Sequence, residues 1–428
     1  MNMKICVLGL GYIGLPTAAL FAKAGFEVLG VDVNRKAVDL VNKGEVHLEE
    51  VGLPEVVKEV VETGKLSASS TPEKSNVFII AVPTPIHDDH TANLDYIIEA
   101  TESIIPYIRK GNVVIVESTI PPRTIDDIVA PIFQRSGWNV NKDLYLAHCP
   151  ERVLPGRILI ELIENTRIVG GYTPEAAHYA AEVYRKIVTG EVIETQAITA
   201  EMSKLMENTY RDVNIALSNE LTKISDKLGV NTLEVIKLAN RHPRVNLHLP
   251  GPGVGGHCLA VDPYFIVEKA PFESPLITNA RKINNSMPNF VVNHVKKIVT
   301  KGAKIAVFGL TYKGNIDDVR ESPAMEIVQS LIEEGYQVGA YDPHVEQEQV
   351  TFPLATYKEA ITNAECILVL TDHNEFKELD EESIELNMKT PVIFDTKNCV
   401  EVNNKSIVYY NYNNVFEMEG LKKEVVPK

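Results

Sequence analysis

The chain has 428 residues, with 42 lysines and arginines against 58 aspartates and glutamates and a formal net charge of −16. That acidity argues against nucleic acid as the main partner, because a phosphate backbone calls for a basic surface, and a composition 45% hydrophobic and 23% charged excludes disordered and collagen-like chains. At roughly 150 residues per domain, the length predicts about three domains. The five cysteines, Cys6, Cys149, Cys258, Cys366 and Cys399, show no C-x-x-C spacing. They indicate neither a zinc ribbon nor a disulfide scaffold; no metal site is expected, and a reducing, cytoplasmic compartment fits best.

Residues 5–22 are uncharged and mostly apolar, long enough for a signal peptide or a short membrane span. Gly9, Gly11, Gly14 and Pro16 interrupt the run, and a strand, a tight turn and a helix account for all four. The spacing predicts a strand at 4–8, the turn at 9–14, a helix over 16–24 stopped by Gly25, and a second strand at 27–31 ending in Asp32. Short apolar strands recur at 77–82, 113–116 and 144–147 with helical stretches between them, which implies a parallel sheet covered on both faces. Residues 199–228 contain no Gly or Pro, and their apolar positions recur at three and four. This predicts one helix of about 45 Å, with further helices near 232–240 and 276–299. The opening then returns: 304–314 echoes 4–14, and strands are expected at 337–341, 366–370 and 392–394. The fold class is therefore α/β: two Rossmann-like doubly wound domains joined by a helical central domain. The boundaries fall at 1–195, 196–300 and 301–428, and the charged end from about 417 is expected to fray.

In the first turn Gly9 permits the tight bend, Gly11 lets the backbone approach a pyrophosphate, and Gly14 packs helix on strand. The pyrophosphate would lie at the helix N-terminus. Asp32, 18 positions after Gly14, would bind the adenosine ribose and favour NAD, whereas Arg35 could also serve a 2′-phosphate. The second turn departs. Thr311 replaces the middle glycine and Lys313 offers a point charge to a phosphate, so this domain is expected to hold a different phosphorylated nucleotide, with a degenerate copy kept for packing as the alternative.

Cys258 differs from the other cysteines, which lie in or near strands as packing thiols do. It ends the loop GPGVGGHC at 251–258, beside His257 and four residues before Asp262. It is a candidate nucleophile, with a packing role as the alternative. Lys204, Asn208 and Arg211 share one face of the long helix, opposite its apolar stripe. A solvated face is the ordinary explanation; against the Cys258 loop they would stabilise an oxyanion and bind substrate charge.

Together with AVPTP at 81–85, ESTIPP at 117–122 and GLTYKGNIDDVRESPA at 309–324, these pieces resemble the UDP-glucose/GDP-mannose dehydrogenase family over the chain to about residue 415. HCPERVLPG at 148–156 and NRHPRVN at 240–246 look most like the branch acting on UDP-N-acetyl-D-mannosamine. Val261 and His257 stand where UDP-glucose enzymes carry lysine and serine.

The resemblance implies oxidation of a C6 alcohol to a carboxylate with two NAD and one water. It assigns Lys204 and Asn208 to the C6 oxygen, Cys258 to covalent catalysis, and Glu151, Thr119 and Asp262 to the hydrolytic water. Tyr12, Ile13, Asp32, Arg35, Thr84, Thr119 and Arg320 match cofactor contacts. Arg152, Val153, Arg211, His242, Arg244 and Gly255 match sugar contacts, and Tyr312 and Lys313 match contacts to the UDP. It further implies a homodimer built on the long helix, with His242 or Arg244 reaching a neighbouring subunit, and a uronic acid product for a surface polysaccharide such as a capsule.

Overall fold

Apolar runs of four or five residues become inner strands of the sheets, buried on both faces. In the computed structural model, which describes residues 3–48, 50–153 and 156–419, the first eight strands are β1 (Lys4–Leu8), β2 (Glu27–Val31), β3 (Leu66–Ser69), β4 (Val77–Ile80), β5 (Asn112–Val116), β6 (Leu144–His148), β7 (Arg167–Gly171) and β8 (Val192–Gln196). They form one sheet in the order β3-β2-β1-β4-β5-β6-β7-β8. Successive residues of β1 feed opposite cores: Ile5 and Val7 pack with Leu15 and Phe21, and Cys6 and Leu8 with Phe78 and Ile97. The expectation of an all-parallel sheet holds except at β6 and β7, which pair antiparallel. Leu154 and Pro155 of the HCPERVLPG stretch, and the tail from residue 420, lie outside the described residues.

The second sheet contains β9 (Lys304–Phe308), β10 (Gln337–Tyr341), β11 (Cys366–Val369), β12 (Val392–Asp395) and β13 (Val408–Asn411), all parallel, in the order β10-β9-β11-β12-β13. In both sheets the first strand lies beside the point where strand order reverses, the place where doubly wound folds bind ligands beyond the carboxyl ends of their strands. Residues 415–418 depart from the expected fraying from about 417, because Val415 and Met418 are buried in the second core.

The chain divides into two compact units, one running to Glu207 with Tyr264–Pro271, the other Asn208–Pro263 with the rest from Phe272. The long helix spans Ala197–Leu228, and the expected helix over 276–299 is two, Pro275–Asn285 and Met287–Ile298. Pro288 sits in the first turn of the second, where its missing N–H costs nothing.

The sequence reading of the long helix inverts in one respect. Its buried positions in the second unit are largely polar: Asn208, Thr209, Asp212, Ser218, Asn219, Thr222 and Ser225. Apolar Tyr210, Leu217, Ile224 and Leu228 are 48–69% exposed. The polar face is inward because it satisfies the backbone of an irregular segment. Asn214 Oδ1 accepts from His248 N–H (2.9 Å), Ser218 Oγ donates to His248 O (2.6 Å), and Asn219 Oδ1 accepts from Gly251 N–H (2.9 Å). Among the described residues no helix is long and apolar enough to cross a membrane.

Candidate active site

In the first unit the candidate cofactor residues collect at the carboxyl edge of the sheet. Gly9–Gly14 follow β1, Asp32 follows β2, Thr84 follows β4, Thr119 follows β5, and Glu151–Val153 follow β6. Gly9 bends the chain at φ +90°, and an added Cβ would stand 2.5 Å from Ala81 O. At Gly14 a Cβ would meet Gly9 O at 1.8 Å, so helix Gly14–Lys23 starts in contact with the turn. Among the described residues, nothing lies within 4 Å of a Cβ at Gly11. That side is open, as it must be for a pyrophosphate resting on the backbone. Asp32 braces the turn by accepting from Leu10 N–H (2.8 Å) and Asn34 N–H (2.8 Å). The Thr84 hydroxyl is buried with no partner among the described residues, a polar group suited to a ligand. These features fit NAD. Tyr12 is 43% exposed and Arg35 is exposed on the rim.

Glu151 is buried. One of its oxygens accepts from Arg152 N–H (2.5 Å), while Oε2 has no partner among the described residues. Arg152 is ion-paired to Glu207 at 2.6 Å and donates to Thr166 O. Val153 and Lys204 are half-buried. Behind this edge lies a network that the sequence reading missed. Glu117 accepts from Tyr184 OH (2.7 Å) and Thr17 Oγ1 (3.3 Å) and lies 3.7 Å from Arg167, whose guanidinium stands 5.1 Å over the Tyr184 ring. Burial opposes the Arg167 charge, but the carboxyl groups of Glu151 and Glu117 beside it outweigh that and hold it charged. Glu117 was within the ESTIPP motif, but nothing in sequence ties it to residues 50 and more positions away.

In the second unit Cys258 is half-buried in a turn whose carbonyl accepts from Val261 and Asp262 N–H groups. Asp262 begins helix Asp262–Lys269. The other four thiols are each pushed up to about 12 by burial and stay protonated. The loop is tied to the long helix at both ends, by Asn219 on Gly251 and by Asn208 Nδ2 donating to Asp262 Oδ2 (2.5 Å). Arg211 in turn donates to Asn208 Oδ1. So the structure brings Asn208, Arg211 and Asp262 together. Beneath them the buried pair Asp212–Arg281 (2.6 Å), with Asn284 on Asp212, fixes the helix against Pro275–Asn285.

The loop glycines make a close approach, but to protein. A Cβ at Gly255 would lie 2.3 Å from Glu321 O, and one at Gly256 would lie 2.8 Å from the Tyr312 ring. The Cys258 loop is thereby stacked on the second glycine turn. Asp318 there holds Arg320 in a two-pronged ion pair (2.8 and 2.6 Å) and lies 3.8 Å from His257. Lys313 is exposed beside half-buried Tyr312. His242 and Arg244 are exposed on a segment anchored by Asn240, which bonds both N–H (2.7 Å) and C=O (2.9 Å) of Leu247.

The NAD binding, central and UDP binding domains of the UDP-glucose/GDP-mannose dehydrogenase family match residues 3–188, 198–286 and 306–402. The chain belongs to that family, whose members are NAD-dependent oxidoreductases of nucleotide sugars. It is 49% identical to the UDP-N-acetyl-D-mannosamine dehydrogenase of Methanocaldococcus jannaschii over 94% of this chain and 93% of that one. The solved structure of the UDP-N-acetyl-mannosamine dehydrogenase of Staphylococcus aureus is 53% identical with a TM-score of 0.88, covering 97% of this chain and 99% of that one. An NDP-N-acetyl-D-galactosaminuronic acid dehydrogenase of Ralstonia nicotianae is 44% identical over 92% of this chain and 95% of that one.

Proposed function

We propose that the chain is an NAD-dependent UDP-N-acetyl-D-mannosamine 6-dehydrogenase that makes UDP-N-acetyl-D-mannosaminuronate, for surface polysaccharide synthesis, in the cytoplasm. The observation that carries the reading is the anchoring of the Cys258 loop by Asn208 and Asn219, with Asp262 bonded to Asn208. The relatives named for N-acetyl-mannosamine support the choice of sugar.

NAD, when bound, would accept one hydride in each of the two oxidations, a fresh NAD serving the second. Gly9, Gly11, Tyr12, Ile13, Gly14, Asp32, Arg35, Thr84, Thr119 and Arg320 would hold it. The protein's own groups do the rest. Lys204 and the Asn208 amide stabilise negative charge on the C6 oxygen as the alcohol is oxidised to an aldehyde. The Cys258 thiolate adds to that aldehyde, because an aldehyde cannot release hydride until a nucleophile has made it tetrahedral. Loss of the second hydride leaves a thioester. Water, oriented by Glu151, Thr119 and Asp262, cleaves it to carboxylate and free thiol. Each sugar consumes one water and yields two NADH. Arg152, Val153, Arg211, His242, Arg244 and Gly255 would position the sugar, and Tyr312 and Lys313 the UDP. The domains would divide at 195 and 300.

A homodimer belongs to the same proposal. The exposed row Tyr210, Leu217, Ile224 and Leu228 supports it, since a second copy of the helix would bury apolar surface that now faces water. Analytical ultracentrifugation of wild type and Leu217→Glu tests this: wild type at twice the chain mass, the variant shifted to monomer.

The functional test is NADH formed per mole of UDP-N-acetyl-D-mannosamine consumed, with UDP-N-acetylglucosamine and UDP-glucose alongside. About two NADH per sugar, as thiol-dependent four-electron oxidation requires, from the mannosamine substrate alone supports the proposal. About one would remove the cysteine step, turnover of another sugar would reassign the substrate, and none from any sugar would leave a binding module.

A further inference from the structure

The two glycine turns are braced in the same way up to one group. Leu10 and Asn34 donate to the two oxygens of Asp32, and Leu310 and His344 donate to the two oxygens of Asp342 (2.7 and 2.9 Å). In the second turn a third partner is present. His373 Nε2 stands 3.0 Å from Asp342 Oδ2 and 3.2 Å from Thr311 Oγ1, with the ring fully buried. Its Nδ1 accepts from Asn315 N–H (2.9 Å), so Nε2 carries the proton directed at Asp342. Asn315 returns the contact, its Oδ1 accepting from Asn374 N–H (2.9 Å). Thr371 Oγ1 donates to Thr311 O (2.7 Å), and Gly314 packs so closely that a Cβ would lie 2.4 Å from Asp372 O.

The 311–315 segment is thus latched to 371–374. Asn315 is held there at φ +61°, a left-handed conformation that a side chain rarely adopts unless its surroundings fix it. His344, His373 and Glu375 have ligand atoms within 4.8 Å of one another. They do not make a three-ligand cation site, because the one lone pair of the His373 ring is already used by the Asn315 amide.

We propose that His373 is a positioning residue. It occupies the place on Asp342 that a ribose hydroxyl would take on Asp32, closing the second turn to a dinucleotide. Through Asn315 it also holds Tyr312 and Lys313 in the conformation that receives the UDP. This rests on the reading that Tyr312 and Lys313 contact the UDP, and a Lys313→Ala arm tests that reading separately.

The experiment measures UDP and NAD affinity by calorimetry and steady-state kinetics on the full-length protein. For His373→Ala, UDP Kd and substrate KM should rise about tenfold, NAD Kd should not change, and kcat should stay within about twofold. His373→Asn places an oxygen near the Nδ1 position, keeps the acceptor for Asn315 N–H, and should recover most of the lost affinity. Asn315→Gly, at an exposed position where glycine suits the backbone, should raise UDP Kd about threefold by loosening the latch; it decides the matter if His373→Ala fails to fold. If Lys313→Ala weakens UDP binding while Asn315→Gly and any folded His373→Ala do not, the positioning role is overturned. If Lys313→Ala has no effect, the reading of Tyr312 and Lys313 falls, and this inference with it.

Discussion

The turns at Gly9–Gly14 and Gly309–Gly314 share a beginning and differ at the middle position. Gly9 and Gly309 have φ of +90° and +89°, and each donates its N–H to the last residue of the neighbouring strand, Val31 (2.8 Å) and Tyr341 (2.9 Å). At the middle position Gly11 opens onto empty space, whereas Thr311 is 2% exposed, donates to Lys313 O (2.8 Å) and abuts His373. The helix then starts at Gly14 in the first copy but only at Pro323 in the second. Thr311 and His373 together close the cradle from within, and the chain between turn and helix becomes a loop on which the Cys258 segment packs. The same supersecondary unit takes two forms, an open cradle at Gly11 and a floor for the Cys258 loop.

The comparison can be broken where the copies are alike. Gly14→Ala and Gly314→Ala both drive a Cβ into a carbonyl, at 1.8 and 2.4 Å. Each should cost about 3 kcal/mol or more in thermal denaturation, Gly14→Ala the greater; equal and negligible losses would show that the turns yield.

Acid should weaken the first unit through a buried histidine. Burial lowers His148, at the end of β6, from 6.5 to about 3. Between those values the unfolded chain binds a proton that the folded chain refuses, so stability is intact above about pH 6.5 and falls by about 1.4 kcal/mol per unit as pH drops toward 3. His148→Asn, which keeps a donor for Val116 O, should unfold with a shallower pH slope than wild type between pH 6 and 4. Identical slopes would mean that His148 takes up its proton in the folded state.

Where the turns differ, the effects are smaller and separable. Gly11→Val should leave the melting temperature unchanged and weaken NAD about tenfold, because the added methyls meet only the cofactor. Thr311→Gly should cost about 1 kcal/mol in lost hydrogen bonds and create no second NAD site, since His373 still occupies Asp342. A stoichiometry of two NAD per chain in that variant would contradict the account of the closed turn.

What the sequence made legible follows from burial. Strands enclosed on both faces, such as Val77–Ile80 and residues 113–116 of β5, are unbroken apolar runs. β3 (Leu66–Ser69) and β8 (Val192–Gln196) lie at the sheet edges, carry partly exposed polar residues, and gave no such signal. The extent of the long helix was legible to within two residues, but its orientation was not. Periodicity reports that two faces differ, not which one faces the protein, and here Asn214, Ser218 and Asn219 are turned inward by the backbone groups of 246–251. The Gly9, Gly11, Gly14 and Asp32 set was readable because its members are close in sequence. The pairs Glu117–Arg167 and Asp342–His373 were not, since each is joined only by folding. The glycines around Cys258 were noticed, but their partner, the Tyr312 ring, could not be seen from a local pattern.

The central claim is that Cys258 carries the second oxidation. The direct measurement is a single-turnover assay of Cys258→Ser with saturating NAD and limiting UDP-N-acetyl-D-mannosamine, counting NADH and uronate together. We expect at most about one NADH per sugar and no uronate released, because a serine hydroxyl is not ionised as a thiol is. Two NADH per sugar with uronate formed at the wild-type rate would contradict the account.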